Sequence, residues 1–151
     1  MAGVRTTLAE MERIVKRYKT DPSIYILSRQ LTEPLESYDV AGEVAVLHAF
    51  VRDRIRYIQD VEGVETLQTP DFTLKCRQGD CDDKSILLNT LLAATGKKTA
   101  FIAVGMNGGF YQHVLSAVRL GTRMVPLETI IPGAPMGWIH PEAWPRYTWN
   151  L

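Results

Sequence analysis

No apolar run in this sequence approaches the roughly 20 residues that a membrane span needs. The opening stretch, Met1-Ala-Gly-Val-Arg-Thr-Thr, starts a charged amphipathic segment and lacks the apolar core of a signal peptide. The expectation is a protein folded in a reducing cytoplasm, with no membrane partner. Cysteine is scarce. Cys76 and Cys81 are too few for a disulfide framework. No CxxC pair occurs, and His48, His113 and His140 are widely separated, so neither a structural zinc site nor another metal or organic cofactor is expected. No calcium-loop pattern is present. Charge of one sign is lacking too: 17 basic residues balance 17 acidic ones. That removes the electrostatic reason to expect nucleic acid as a partner. It also leaves little charge protection against packing into a larger assembly. Internal repeats and low-complexity segments are absent.

What remains is ordinary globular composition, 46% hydrophobic and 23% charged over 151 residues, which fits one domain. Leu8, Met11, Ile14, Val15 and Tyr18 recur at helical spacing and predict a helix over 6–19. Asp21-Pro22 stops it and starts a second, to about Leu31, broken at Glu33-Pro34. Val40, Val44, Leu47, Val51 and Ile55 form one stripe of a third helix ending near Tyr57. Residues 58–79 read as an ordered loop, long enough to serve as a site wall. A central, buried helix begins at Asp80 or Cys81, carries Ile86, Leu87, Leu91 and Leu92, and is capped at Gly96.

The period then changes. Thr99–Val104 reads as a strand, Met106–Gly109 as a turn, Phe110–Leu120 as a strand, Leu120-Gly121 as a hairpin turn and Thr122–Thr129 as the returning strand. The tail from Ile131 holds four prolines and all three tryptophans. It reads as irregular cover over the body. Helices first, then a central helix, then an antiparallel sheet make the fold class α+β. The single domain divides into a helical extension (1–39), a core (40–132) and the tail (133–151).

The segment Gly79-Asp80-Cys81-Asp82-Asp83-Lys84-Ser85 carries the chemistry. It puts a cysteine in the first turn of a helix, where free amides and the dipole favour thiolate. The three aspartates oppose this and raise the thiol pKa, so a cationic partner is needed. His113 is the candidate. A hairpin turn centred between Leu120 and Gly121 pairs Arg119 with Thr122 and, further along, His113 with Glu128. A carboxylate there would hold the imidazole in one tautomer, as the third member of a triad does. His140 is a lower-ranked base, without an evident carboxylate. His48 reads as a core or boundary histidine. Arg52, Arg54 and Arg56 read as a solvated face. Cys76, in the loop, reads as a free thiol, with oxidative pairing to Cys81 the lesser alternative.

The run from Gly79 to Gly96 resembles the nucleophile helix of the transglutaminase-like superfamily. Phe110-Tyr-Gln-His113-Val resembles that family's histidine strand, and Val125-Pro-Leu-Glu128-Thr129 its closing acidic motif. Val51-Arg-Asp-Arg-Ile-Arg-Tyr57 is similar to the helix before its site. The match covers about 40–132. It implies a papain-like core, with a nucleophile helix packed on an antiparallel sheet, and Cys81, His113 and Glu128 acting on amide bonds. The substrates implied are peptide, isopeptide or peptidoglycan-like. Glu128 stands where the family usually has Asp, and the usual following Pro is missing. Gln78, Gln68 and Tyr57 stay open as second oxyanion donors beside the Cys81 amide. Small proteins of this kind also resemble transglutaminase-like proteins of phage and prophage clusters. That implies phage structural proteins as partners and a virion context. A non-catalytic assembly component is the alternative to a cysteine hydrolase or acyltransferase.

Overall fold

The computed structural model describes residues 2–36, 38–59 and 66–151. In the helical half, α1 (Ala2–Tyr18) buries Leu8, Met11 and Val15 at steps of three and four and turns Glu10 and Arg13 outward. Asp21 caps α2 (Pro22–Thr32) by accepting the Ser23 amide, with Pro22 in the first turn. Asp39 caps α3 (Val40–Arg54), whose Val44, Leu47, His48 and Val51 face the core. The chain then makes β1 (Arg56–Tyr57), α4 (Pro70–Cys76), β2 (Gln78–Gly79) and α5 (Cys81–Ala94).

Every residue of α5 from Asp83 to Leu92 is buried. The helices surround it on one side and a four-stranded antiparallel sheet closes the other. The sheet runs β5-β4-β3-β6, with β3 Thr99–Val104, β4 His113–Leu120, β5 Arg123–Leu127 and β6 Arg146–Asn150. Leu87, Leu88, Leu91 and Leu92 meet Val44, Leu47 and Val51 of α3 and Val118 and Leu127 of the sheet. Ile86 meets Leu8, Met11 and Val15 of α1 and Phe101 of β3. The far face of the sheet, Ala100, Ile102, Leu115 and Ala117, is covered by Ala143 and Ile139. Helix α5 ends where Gly96 takes a left-handed φ of 82°, and the Gly96 and Lys97 amides close on the carbonyls of Ala93 and Leu92.

Four expectations need correction. The third helix stops at Arg54, and Arg56-Tyr57 pairs in parallel with Gln78-Gly79. Within the expected loop, 60–65 lies outside the described residues, but 70–76 is helical, so Cys76 ends a helix. That helix was hidden because it spans only seven residues and its C-cap is Arg77, not glycine, at a left-handed φ of 58°. The histidine strand begins at His113 and not at Phe110. The tail covers the sheet as expected but also adds its edge strand, β6, against β3.

The hairpin register differs as well. Gly121, at φ 64°, opens the turn, so Leu120 pairs with Arg123 and Arg119 with Met124. The ladder is shifted by two residues from the expected one. A two-residue shift preserves which face each side chain occupies, whereas a one-residue shift would reverse it.

Candidate active site

The site begins with Gly79. A Cβ there would lie 2.7 Å from Asp83 Cβ, so only glycine lets β2 approach the first turn of α5 this closely. That approach completes a reciprocal cap. Asp80 accepts the Asp83 amide at 2.9 Å, and Asp83 accepts the Asp80 amide at 3.1 Å. The other oxygen of Asp83 accepts the Gln68 amide at 2.8 Å. Two of the three aspartates around Cys81 are therefore buried structural acceptors. The first turn of α5 is fastened to the start of β4. Ser85 Oγ donates to the Val114 carbonyl at 3.3 Å, and Ser116 Oγ donates to the Ser85 carbonyl at 3.1 Å.

This brings Val114, the residue after His113, beside Cys81, where its backbone amide favours the thiolate. Burial pushes the Cys81 thiol up, the Asp82 charge adds to it, and the Val114 amide only partly offsets them, so the pKa lies well above the ordinary thiol value. Asp82 Oδ1 is 3.7 Å from Cys81 Sγ. The acidic charge expected to raise the thiol pKa at this helix start is present, and burial, which the sequence did not show, is the larger cause.

His113 Nε2 lies 2.7 Å from Glu128 Oε2. Glu128 is 4% exposed and its other oxygen accepts the amides of Thr129 at 2.9 Å and Ile130 at 3.2 Å. Burial works to raise the Glu128 carboxyl, but the His113 hydrogen bond and charge and the two amides prevail, and its pKa is lowered. With Nε2 donating to the carboxylate, the lone pair of the ring is on Nδ1.

Two buried side chains frame this carboxylate: His48, which lies in the core as its boundary or core reading expected, and Lys84, which the sequence reading did not single out. His48 Nε2 donates to the Glu128 backbone carbonyl at 2.7 Å; burial lowers its pKa and favours the neutral ring. Lys84, 1% exposed, donates to the Ile55 carbonyl at 2.7 Å and the Arg52 carbonyl at 3.3 Å. Burial lowers its pKa to about 8, with Glu128 and Asp53 opposing.

The remaining candidates lie elsewhere. Cys76 Sγ is directed to the Gln78 carbonyl at 3.3 Å, and both cysteines are free thiols. Gln68 Oε1 accepts from Thr73 Oγ1 at 3.2 Å. Tyr57 and Gln78 sit on the short ladder leading into α5. His140 Nδ1 accepts the Glu142 amide at 3.1 Å, within the tail. Arg52 is more engaged than a solvated residue: it pairs with Asp53 at 2.7 Å and donates to the Ala134 carbonyl at 2.9 Å. No cluster of three or more metal-ligating side chains occurs among the described residues, and no described helix is long and apolar enough to cross a membrane.

The sequence matches no protein-family model and no curated protein. Solved structures do match. A protease candidate from Parabacteroides distasonis superposes with a TM-score of 0.67 at 16% identity, over 85% of this chain and 26% of that one. A cysteine protease candidate from Cytophaga hutchinsonii superposes at 0.61 and 13% identity, over 85% of this chain and 45% of that one. Calcium-bound LapG of Legionella pneumophila superposes at 0.64 and 14% identity, over 95% of this chain and 87% of that one. The fold is that of the papain and transglutaminase-like class. The chain spans about a quarter of the Parabacteroides protein and under half of the Cytophaga one, but most of LapG.

Proposed function

We propose that the protein is a cysteine-dependent hydrolase or acyltransferase acting on peptide, isopeptide or peptidoglycan-like amide bonds. Cys81 is the nucleophile, His113 the base and Glu128 the group that orients it. The observation that carries this reading is the 2.7 Å contact between His113 Nε2 and Glu128 Oε2, next to a strand residue whose amide favours the Cys81 thiolate. A carboxylate on one ring nitrogen leaves the other as the basic one.

Because the resting thiol is held protonated, the chemistry runs by general-base catalysis and not from a preformed ion pair. The thiol proton passes to His113 as Sγ bonds to the substrate carbonyl carbon. Glu128 stabilises the imidazolium that forms. The tetrahedral oxyanion takes the first-turn amide of Cys81. His113 then returns the proton to the leaving amine as the C–N bond breaks. Water, or an amine acceptor, attacks the thioester with His113 as base again and releases Cys81.

One observation favours a second reading, a non-catalytic component of a phage particle or other assembly: burial and Asp82 disfavour the thiolate. Alkylation of Cys81 by a peptidyl chloromethyl ketone, followed by intact mass in a Cys76→Ser background, separates the two. The enzyme reading expects His113→Ala to slow labelling by about tenfold or more. Equal rates in the two proteins would overturn it and leave the assembly reading.

A further inference from the structure

Helix α5 is buried from Asp83 to Leu92, yet the face it gives to the sheet is not purely apolar. Cys81, Ser85 and Asn89 recur at steps of four and so lie one above another. Each meets backbone of the sheet. Ser85 Oγ donates to the Val114 carbonyl at 3.3 Å, Asn89 Nδ2 donates to the Ala100 carbonyl at 2.9 Å, and Cys81 lies beside the Val114 amide. From the strand side, Ser116 Oγ donates to the Ser85 carbonyl at 3.1 Å. Ser85 and Ser116 are both fully buried. A buried hydroxyl is costly unless it is bonded, so these two admit few placements of helix on strand besides the one that satisfies both.

The strand ladder explains why Val114 is open to α5. Along a strand, alternate residues turn their backbone groups to opposite neighbours. The Arg119 N–H goes to the carbonyl of Lys98, which leads into β3. Val118, Ser116 and Val114 therefore turn theirs to the β5 side. The ladder with β5 ends at Ser116 opposite Leu127, and Val114 lies one step beyond it. Helix α5 supplies what β5 does not. Ser85 bonds the Val114 carbonyl, and the amide is left to Cys81, where it favours the thiolate against burial and the charges of Asp82 and Asp80. The same residue is the chain neighbour of His113.

We propose that Ser85, backed by Ser116, is a positioning residue of the thiol site: its bond to the Val114 carbonyl holds the histidine strand against the first turn of α5, which keeps the Val114 amide beside Cys81 and sets where His113 stands relative to the nucleophile. The proposal rests on the thiol-enzyme reading and adds to it a residue that acts through Val114 and touches no substrate.

The test compares Ser85→Ala with Ser28→Ala, both in a Cys76→Ser background. Ser28 Oγ is also fully buried and also bonded to α5, but near the far end of the helix, donating to the Leu91 carbonyl at 3.1 Å. Its loss removes the same kind of bond without touching β4. One readout is the pH midpoint of iodoacetamide alkylation of Cys81. The other is the ratio of chloromethyl ketone labelling rates with and without His113→Ala. Ser85→Ala is expected to raise the midpoint by about half a pH unit or more, the scale of a weakened amide contact to a thiolate. It is expected to shrink the ratio about threefold or more, since misplacing a base costs rate. Ser28→Ala is expected to lower Tm comparably and to move neither readout. Ser116→Ala is expected to move both in the same direction by less, and its result decides the question should Ser85→Ala not fold. If Ser85→Ala leaves either readout at the Ser28→Ala value while wild type depends on His113, the positioning role alone is overturned. Wild-type labelling that does not depend on His113 would overturn the enzyme reading, and the role of Ser85 with it.

Discussion

Glu128 reaches His113 Nε2 at 2.7 Å although the two residues are not paired across the hairpin. The strand ladder ends at Leu127 opposite Ser116, and extending it would set Leu115 against Glu128. The contact is a diagonal one, within reach of a long side chain. Glutamate, one methylene longer than aspartate, suits that longer path. The carboxylate is also fixed from behind, by two amides on its second oxygen and by His48 on its backbone carbonyl.

Replacing Glu128 with Gln keeps the volume but removes the charge and favours the wrong imidazole tautomer. We expect the chloromethyl ketone labelling rate of Cys81 to fall by about 10²-fold or more. The same variant reports on stability. The folded pKa of Glu128 lies below its unfolded value of about 4.3. Its ionised form therefore stabilises the protein above that pH, and the contribution is lost as pH falls through the folded pKa. The Tm advantage of wild type over Glu128→Gln should be largest near pH 6 and shrink toward pH 3. A gap independent of pH would mean the carboxylate is not ionised in the fold.

Lys84 predicts a trend at the alkaline end. Its pKa falls from 10.5 to about 8, so the folded state gives up a proton that the unfolded chain keeps. Stability linked to Lys84 should rise with pH between about 8 and 10.5, by about 3 kcal/mol over the full window. Lys84→Met removes this slope and also leaves the Ile55 and Arg52 carbonyls without their donor, a separate cost of about 1–3 kcal/mol. Urea denaturation of both proteins from pH 7 to pH 10 measures the difference. Parallel curves would show that the ammonium is not desolvated.

The Cys81 thiol gives a third expectation. Burial and the Asp82 charge together hold it protonated. Its titration, followed by the pH dependence of iodoacetamide alkylation in a Cys76→Ser background, should have a midpoint above the ordinary thiol value of about 8.5. Asp82→Asn should move that midpoint down. A midpoint below the ordinary value in wild type would mean a thiolate–imidazolium pair already exists at rest.

The parts of this site legible in the sequence were those set by local spacing. The Gly79-Asp-Cys-Asp-Asp run specifies a capped helix start, and the alternation around His113 and Glu128 specifies a hairpin whatever its register. Position along the ladder was not legible, because Leu120-Gly121 and Gly121-Thr122 both make acceptable turns and only the left-handed φ of Gly121 decides between them. Long-range placement was equally hidden. Nothing local in Arg146–Asn150 says that it pairs with β3, or in His48 that it meets a carbonyl 80 residues away. Helix α4 escaped because seven residues, about two turns, are too few to show a period.

Gly79 offers the sharpest check on how the site is held. The position has no left-handed backbone requirement; its constraint is contact, since an added Cβ meets Asp83 Cβ at 2.7 Å and Asp83 Oδ2 at 3.2 Å. Asp83 cannot retreat without releasing the amides of both Asp80 and Gln68. Gly79→Ala should therefore cost about 1–3 kcal/mol by overpacking and lower Tm by several degrees. The displaced cap should also misplace Cys81, so labelling of the folded variant should lose its dependence on His113. Gly3→Ala is the matched control, because a Cβ at Gly3 meets nothing within 4 Å. If Gly79→Ala melts like Gly3→Ala and still labels in a His113-dependent way, then the close approach of β2 to α5 is not what builds the nucleophile turn.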